Sequence, residues 1–409
     1  MSHSVRPADY RTAFTTPGTR GPVLTALLGR FPVAMVPLSA LFYVQQETGS
    51  FAAAGSVSAA ILVGIAVGSV TQGRAVDRFG ASRPLLVVTA CFAVLVVALV
   101  MAVESSAATV VPVLIAAGIG ASQSTIGSIN RTMWTRLLPP GPVLEAALTY
   151  EALITEVYFI LGPALAGLLL LAPWAGTGLT VAAGCLVAGT LAYASTRTIR
   201  GLRPEPTRAP TTGLLGVLRD PGLATVALAS LGLGVVLGFV EVAVPAAAIE
   251  AGRAPLGGLL LALWSVSSAL AGAGYGLRPW PAALSHRVPV LLGLFAILVG
   301  LASTAPSLGW LAVALLVAGA LITPQAAAHA SAVGMLIGSG RVTEAFGWVI
   351  TAATLGLGLG QLFSALIVAR TDGRVAFLVA AVLGLGLAGL VHRRRDTLTR
   401  RDAIPVLPG

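Results

Sequence analysis

The stretch Gly73-Arg74-Ala75-Val76-Asp77-Arg78-Phe79-Gly80-Ala81-Ser82-Arg83 packs four charges into eleven residues between two long apolar runs. Glycines at 73 and 80 bracket the Asp77-Arg78 pair. This reads as a charged loop in which both glycines permit a tight backbone. What flanks the loop sets the class of protein. Apolar runs of about 20 residues, the length needed to cross a ~30 Å hydrocarbon core, continue on either side and recur to the end of the chain.

Composition agrees with that reading. Of the 409 residues, 56% are hydrophobic and 10% charged, and the mean hydropathy is +0.92. A soluble domain is about 25% charged, so a chain this apolar needs lipid as its solvent. The 48 glycines lie largely inside apolar runs, where small residues let helices approach closely. All 25 basic residues are Arg. They form short clusters bracketing the runs, so the net charge of +10 signals membrane topology and no nucleic-acid partner. Cys91 and Cys185 each stand alone in an apolar run and are expected to be buried, inert thiols. The first 21 residues have no apolar core of the kind a cleavable signal peptide carries.

Twelve runs are expected, near 22–45, 52–72, 84–103, 107–130, 143–171, 176–196, 221–248, 254–277, 287–305, 308–331, 343–369 and 374–392. With both termini cytoplasmic, 21 Arg fall on the cytoplasmic side and three (Arg253, Arg370 and Arg374) on the other, leaving Arg30 within the first run. The positive-inside rule therefore orients the chain with both ends in the cytoplasm. Residues 197–220 carry five Arg and three Pro ahead of Pro221 and are the main break in hydrophobicity. The expected organisation is a cytoplasmic tail (1–21), a six-helix half (22–196), a cytoplasmic linker (197–220), a second six-helix half (221–392) and an Arg-rich tail (393–409). Weak echoes at an offset near 200, such as Ala117-Gly118 and Ala318-Gly319, fit a parallel two-half repeat.

The pattern G-x-x-x-D-R-x-G-x-x-R at 73–83 resembles the signature loop between helices 2 and 3 of the major facilitator superfamily of transporters. The resemblance extends over about residues 22–392 and implies an all-α membrane fold of twelve helices in two halves. In that family the loop is a gating clasp. Carried over, Asp77 would dock near the start of helix 11 while Arg78 and Arg83 hold the loop, with Ser82 standing at one of the paired basic positions. Tyr158-Phe-Ile-Leu-Gly162-Pro163-Ala-Leu-Ala166-Gly167 in helix 5 resembles the family's antiporter motif at Gly162, Pro163 and Gly167, and departs at Tyr158 and Ala166. That motif accompanies exporters, here of the actinobacterial type.

Intramembrane charge is expensive and marks function or pairing. Arg30 and Glu151 lie at matching depths, roughly 12 Å from the cytoplasmic end at ~1.5 Å per residue. Helices 1 and 5 are neighbours in the resembled fold, so an Arg30–Glu151 ion pair is expected, either as a fixed pair or as a part of the proton coupling. Glu156 lies nearer the midplane with no matched cation, as a proton carrier requires, and Glu241 in helix 7 is a second candidate. The resemblance also implies that helices 1, 4, 7 and 10 line the cavity. Helix 4 is polar at 122–130, and Gln123, Gly127 and Asn130 would share one face by helical spacing. Helix 10 offers Thr323 and Gln325 around Pro324. Gln123 and Gln325 are the expected substrate-contacting amides. His286, His329 and His392 look structural, and no cluster has metal spacing. Neither a P-loop nor a kinase-type set is present.

The expectation is a secondary transporter, without cofactor or metal and monomeric as is the family default. It would exchange protons for a small hydrophobic or amphipathic molecule, a drug or secondary metabolite, in multidrug-type efflux by alternating access across the cell membrane. Movement of a sugar or other polar metabolite is the alternative. A polytopic membrane enzyme is disfavoured because no Asp lies within a run, and a non-transporting sensor because intramembrane acids are kept.

Overall fold

The computed structural model describes residues 6–202, 217–276, 283–336 and 342–399. Arg203, Arg208, Arg278, Arg341, Arg400, Arg401 and the middle of the linker lie outside the described residues. So does most of the second-half counterpart of the 73–83 loop, around Arg278.

The described chain is helical, as lipid demands of a chain that must satisfy every backbone group within its own spans. A short helix, α1 (Pro7–Thr15), comes first. The first span is divided into α2 (Arg20–Arg30) and α3 (Val36–Thr48). The next two are α4 (Phe51–Phe79) and α5 (Ser82–Glu104). The fourth is divided again, into α6 (Val110–Ser122) and α7 (Ile126–Leu137). Then come α8 (Pro142–Leu168), α9 (Thr177–Ser195) and the short α10 (Arg197–Gly201). The second set is α11 (Pro221–Glu250), α12 (Pro255–Gly276), α13 (Leu284–Leu301), α14 (Leu308–Gly319) with α15 (Ile322–Leu336), α16 (Val342–Val368) and α17 (Gly373–Arg393). Among the described residues twelve spans are long and apolar enough to cross a membrane.

Each interruption has a local cause. Pro32 and Pro324 lack the N–H that would continue the helical ladder, and they sit at the breaks after Arg30 and after Gly319. At 122–125 the run Ser-Gln-Ser-Thr supplies side chains that compete for backbone partners. Ser122 Oγ already takes the Gly118 carbonyl at 2.7 Å.

The 73–83 stretch is less of a loop than its charges suggest. α4 stays helical to Phe79, and Gly80 turns the chain with φ +79° before α5 begins at Ser82. Gly73 is a mid-helix residue with open space beside it. A helix end that projects past the lipid can carry charges without unwinding, so Gly80 alone has a conformational task here.

The chain divides into two compact units, Met1–Arg208 with Gly252–Ala262, and Ala209–Ala251 with Leu263–Gly409. In the first, Gly64 and Gly68 of α4 lie against the backbone of Ala117 and Ala121 in α6. Gly258 lies against Gly167 and the Pro163 carbonyl, which ties 252–262 to this unit. α1 is held on the same unit: Ala13 is fully buried and Phe14 meets Tyr150 and Trp134 edge-on, with centroids 4.9 and 6.2 Å apart. In the second unit α11 and α16 cross with glycines on both sides. Gly234 and Gly238 face the carbonyls of Ala353 and Leu357, and Gly356 and Gly360 face those of Leu231 and Val235. Cys91 is exposed beside Val87 and Val94 on the apolar face of α5, and Cys185 is half-buried. The thiols are thus less buried than expected, because both helices turn an apolar face outward.

Candidate functional site

The break in the first span leaves Arg30 at the end of α2, 7% exposed, aimed at Glu151 of α8, 1% exposed. Arg30 Nη1 donates to Glu151 Oε2, and Nη2 donates to Thr155 Oγ1 at 3.1 Å. The other carboxylate oxygen accepts from Trp134 Nε1 at 2.9 Å and Asn130 Nδ2 at 3.2 Å. Tyr193 OH donates to Asn130 Oδ1 at 2.7 Å. The guanidinium also lies 5.5 Å from the Tyr158 ring centroid. Four helices, α2, α7, α8 and α9, are thus joined through one ion pair. A buried pair is tolerated only when its remaining donors and acceptors are met, and here the carboxylate has three donors.

Gly127 and Asn130 belong to this network. A Cβ at Gly127 would stand 3.4 Å from two guanidinium nitrogens, and Asn130 is 1% exposed. The expected shared face with Gln123 is not formed, because the helix is broken between Gln123 and Ile126. Gln72 of α4 bridges that break. Its Nε2 donates to the carbonyls of Ala121 and Gln123, both at 2.9 Å, and its Oε1 accepts from Thr125 Oγ1 at 3.3 Å. Ser124 Oγ pairs with Thr190 Oγ1 at 3.0 Å. We expect Gln72→Leu to lower stability by about 1–3 kcal/mol, because buried carbonyls lose their partner. Thermal unfolding in detergent reads this directly; an unchanged midpoint would mean that the break is held elsewhere.

Beyond the bridge, the Gln123 side chain is 6% exposed, and neither its oxygen nor its nitrogen has a partner among the described residues. Gln325, beside the matching break in the second unit, is fully buried with both amide atoms likewise unpartnered. Each such group costs about 1–3 kcal/mol while it stays unbonded. Thr323 differs: its hydroxyl pairs with Ser268 Oγ at 2.7 Å, joining α15 to α12.

The two acids have unlike surroundings. Glu156 is half-buried on α8 and has no hydrogen-bond or ion-pair partner among the described residues. Glu241 on α11 accepts from Gln361 Nε2 of α16 at 2.6 Å. In the helix 5 motif, Gly162 seats the backbone at Ala34 and Met35, where the first span is broken, and Gly167 takes Gly258. Asp77 is exposed and lines a cavity of about 120 Å³ with Ser69, Thr125, Ser128, Thr132 and Arg136. Arg78 lies over the Phe79 ring at 5.2 Å, and Arg83 is exposed at the start of α5. The approach to helix 11, where Asp77 was expected to dock, includes residues 337–341, outside the described residues. No group of His, Cys, Asp and Glu among the described residues could hold a metal.

Twelve spans among the described residues, two of them broken beside buried amides, describe a polytopic membrane protein. Residues 23–302 match the Major Facilitator Superfamily, and the chain belongs to that family. It is a multi-pass membrane transporter and not an enzyme. Several solved structures share the fold. The nucleoside transporter NupG aligns with a TM-score of 0.67 at 15% identity, over 91% of this chain and 98% of that one. A bacterial homolog of the human lysosomal transporter Spinster, inward-facing and unoccupied, gives 0.68 at 14%, over 98% and 100%. A POT family transporter in complex with 5-aminolevulinic acid gives 0.66 at 14%, over 95% and 100%. A comparison with curated protein sequences finds no match.

Proposed function

We propose that this protein is a proton-coupled antiporter of the cell membrane. It exports a small hydrophobic or amphipathic molecule by alternating access, works as a monomer and keeps both termini in the cytoplasm. The observation that carries the coupling is Glu156, an intramembrane carboxyl without a partner among the described residues, on the same helix as Gly162-Pro163-Gly167. Such a group can take and release a proton without first breaking an ion pair. Arg30–Glu151 is too fully bonded for that task and serves as a fixed joint. Gln123 and Gln325 are the substrate-contacting amides, and Asp77, Arg78 and Arg83 the gating group. The amides also favour a second reading, in which the cargo is a more polar metabolite.

The test is proton release from the purified protein in weak buffer on adding lipophilic cations and neutral drugs. Release is expected from the wild type, and Glu156→Gln should abolish it. Release that persists in Glu156→Gln but disappears in Glu241→Gln would move the carrier to α11. Binding without release in the wild type would sink proton coupling.

A further inference from the structure

α15 carries a second buried polar residue besides Gln325. One turn further on, His329 is 3% exposed, with Nδ1 2.9 Å from Ser230 Oγ of α11. Its Nε2 is buried and without a partner among the described residues, like both atoms of the Gln325 amide. Residues four apart on a helix share a face, so three unpartnered polar atoms lie along a strip rising ~6 Å. Ser230 Oγ has no other partner among the described residues. In the tautomer whose Nδ1 accepts the Ser230 proton, the imidazole carries its own proton on Nε2. In that tautomer the strip presents an amide acceptor and donor at Gln325 and an N–H donor at His329. α15 itself contains no charged residue.

We infer that Gln325 and His329 form one recognition strip for a neutral planar group, a cyclic amide, imide or ureide carried on an apolar body. This rests on the transport reading and narrows its substrate. A buried donor or acceptor left unbonded favours any state in which a ligand completes it. An apolar molecule of equal size brings no such gain. An N–H flanked by carbonyls meets the Gln325 oxygen and nitrogen side by side, and a further carbonyl meets His329. Site geometries that satisfy buried polar groups discriminate far more sharply than apolar pockets do.

The experiment uses the full chain in lipid nanodiscs with three probes: 3-phenylglutarimide, its N-methyl derivative and phenyltrimethylammonium. Binding and thermal unfolding are measured for wild type, Gln325→Leu and His329→Leu, with Gln325→Met as the alternative should leucine prevent folding. The wild type should bind the imide at least tenfold more tightly than either other probe. Each variant should lose tenfold or more; Gln325→Leu should unfold at the wild-type temperature or above, since only unbonded atoms are removed, whereas His329→Leu also strands the buried Ser230 hydroxyl and should unfold lower. Wild-type preference for the cation or the N-methyl compound, or no imide binding at all, would overturn the inference. So would variants that unfold several degrees lower while binding the imide normally, because the groups would then be holding helices together. The transport reading is tested separately by cellular accumulation. Imide binding that needs both residues, without any change in accumulation of the three probes, would keep the strip and reject export.

Discussion

Glu151→Leu is expected to destabilise the protein by about 3–5 kcal/mol, enough to leave little folded material after detergent extraction. The substitution removes an acceptor shared by Arg30, Trp134 and Asn130. It also strands a guanidinium that is 7% exposed. Most of the effect is that stranded charge, not the value of the pair itself. The double variant Arg30→Met with Glu151→Leu should therefore recover much of the loss. Thermal unfolding followed by tryptophan fluorescence would show it, and proton release from the recovered double variant completes the test. Retained release marks the pair as a joint. A double variant that folds well but no longer exchanges protons would make it part of the coupling machinery.

Gly238→Val is expected to have the largest effect in the second unit, through both stability and transport. A Cβ at Gly238 would overlap the Leu357 carbonyl and the Gln361 backbone, so α11 and α16 must separate. Overpacking of this kind typically costs about 1–3 kcal/mol. Separation also pulls Gln361 away from Glu241, one turn along α11. Gly232→Ala is the control: there the new methyl meets mainly side-chain atoms of Leu292 and Leu387, which can turn aside. A lowered unfolding temperature and lost transport in Gly238→Val, with near-normal behaviour in Gly232→Ala, is the expected outcome. Equal effects in both would show that the crossing yields as easily as a side-chain contact.

The spans were legible because lipid leaves long apolar runs little freedom to be anything but helix. The Arg30–Glu151 pair was legible for a related reason: two charges at one depth have few other ways to be tolerated. The helix 4 face was misread because the i, i+4, i+7 rule assumes an unbroken helix. The run Ser122-Gln123-Ser124-Thr125 that made the face look polar is also where the helix breaks. Gln72 and Gln361 carry no charge, so the cost that marks an intramembrane ion does not mark them. A search for every amide within an apolar run would have found both. His329 stands alone in its run, and nothing in sequence alone reveals that Ser230 occupies just one of its nitrogens. Packing of α1 depends on Phe14 meeting Trp134 and Tyr150, more than a hundred positions later, which no local pattern announces.

The first unit is not a continuous piece of chain. Its Gly252–Ala262 segment is encoded after the linker and after the whole of α11. The glycine of α8 at 167 must therefore wait through the synthesis of some ninety further residues before Gly258 exists to meet it. Insertion into the bilayer can proceed span by span, but the contact of Gly167 with Gly258 can form only after the whole of α11 has been made. Until Gly258 has emerged, α8 is seated at Gly162 against Ala34 and Met35 but lacks the partner of Gly167.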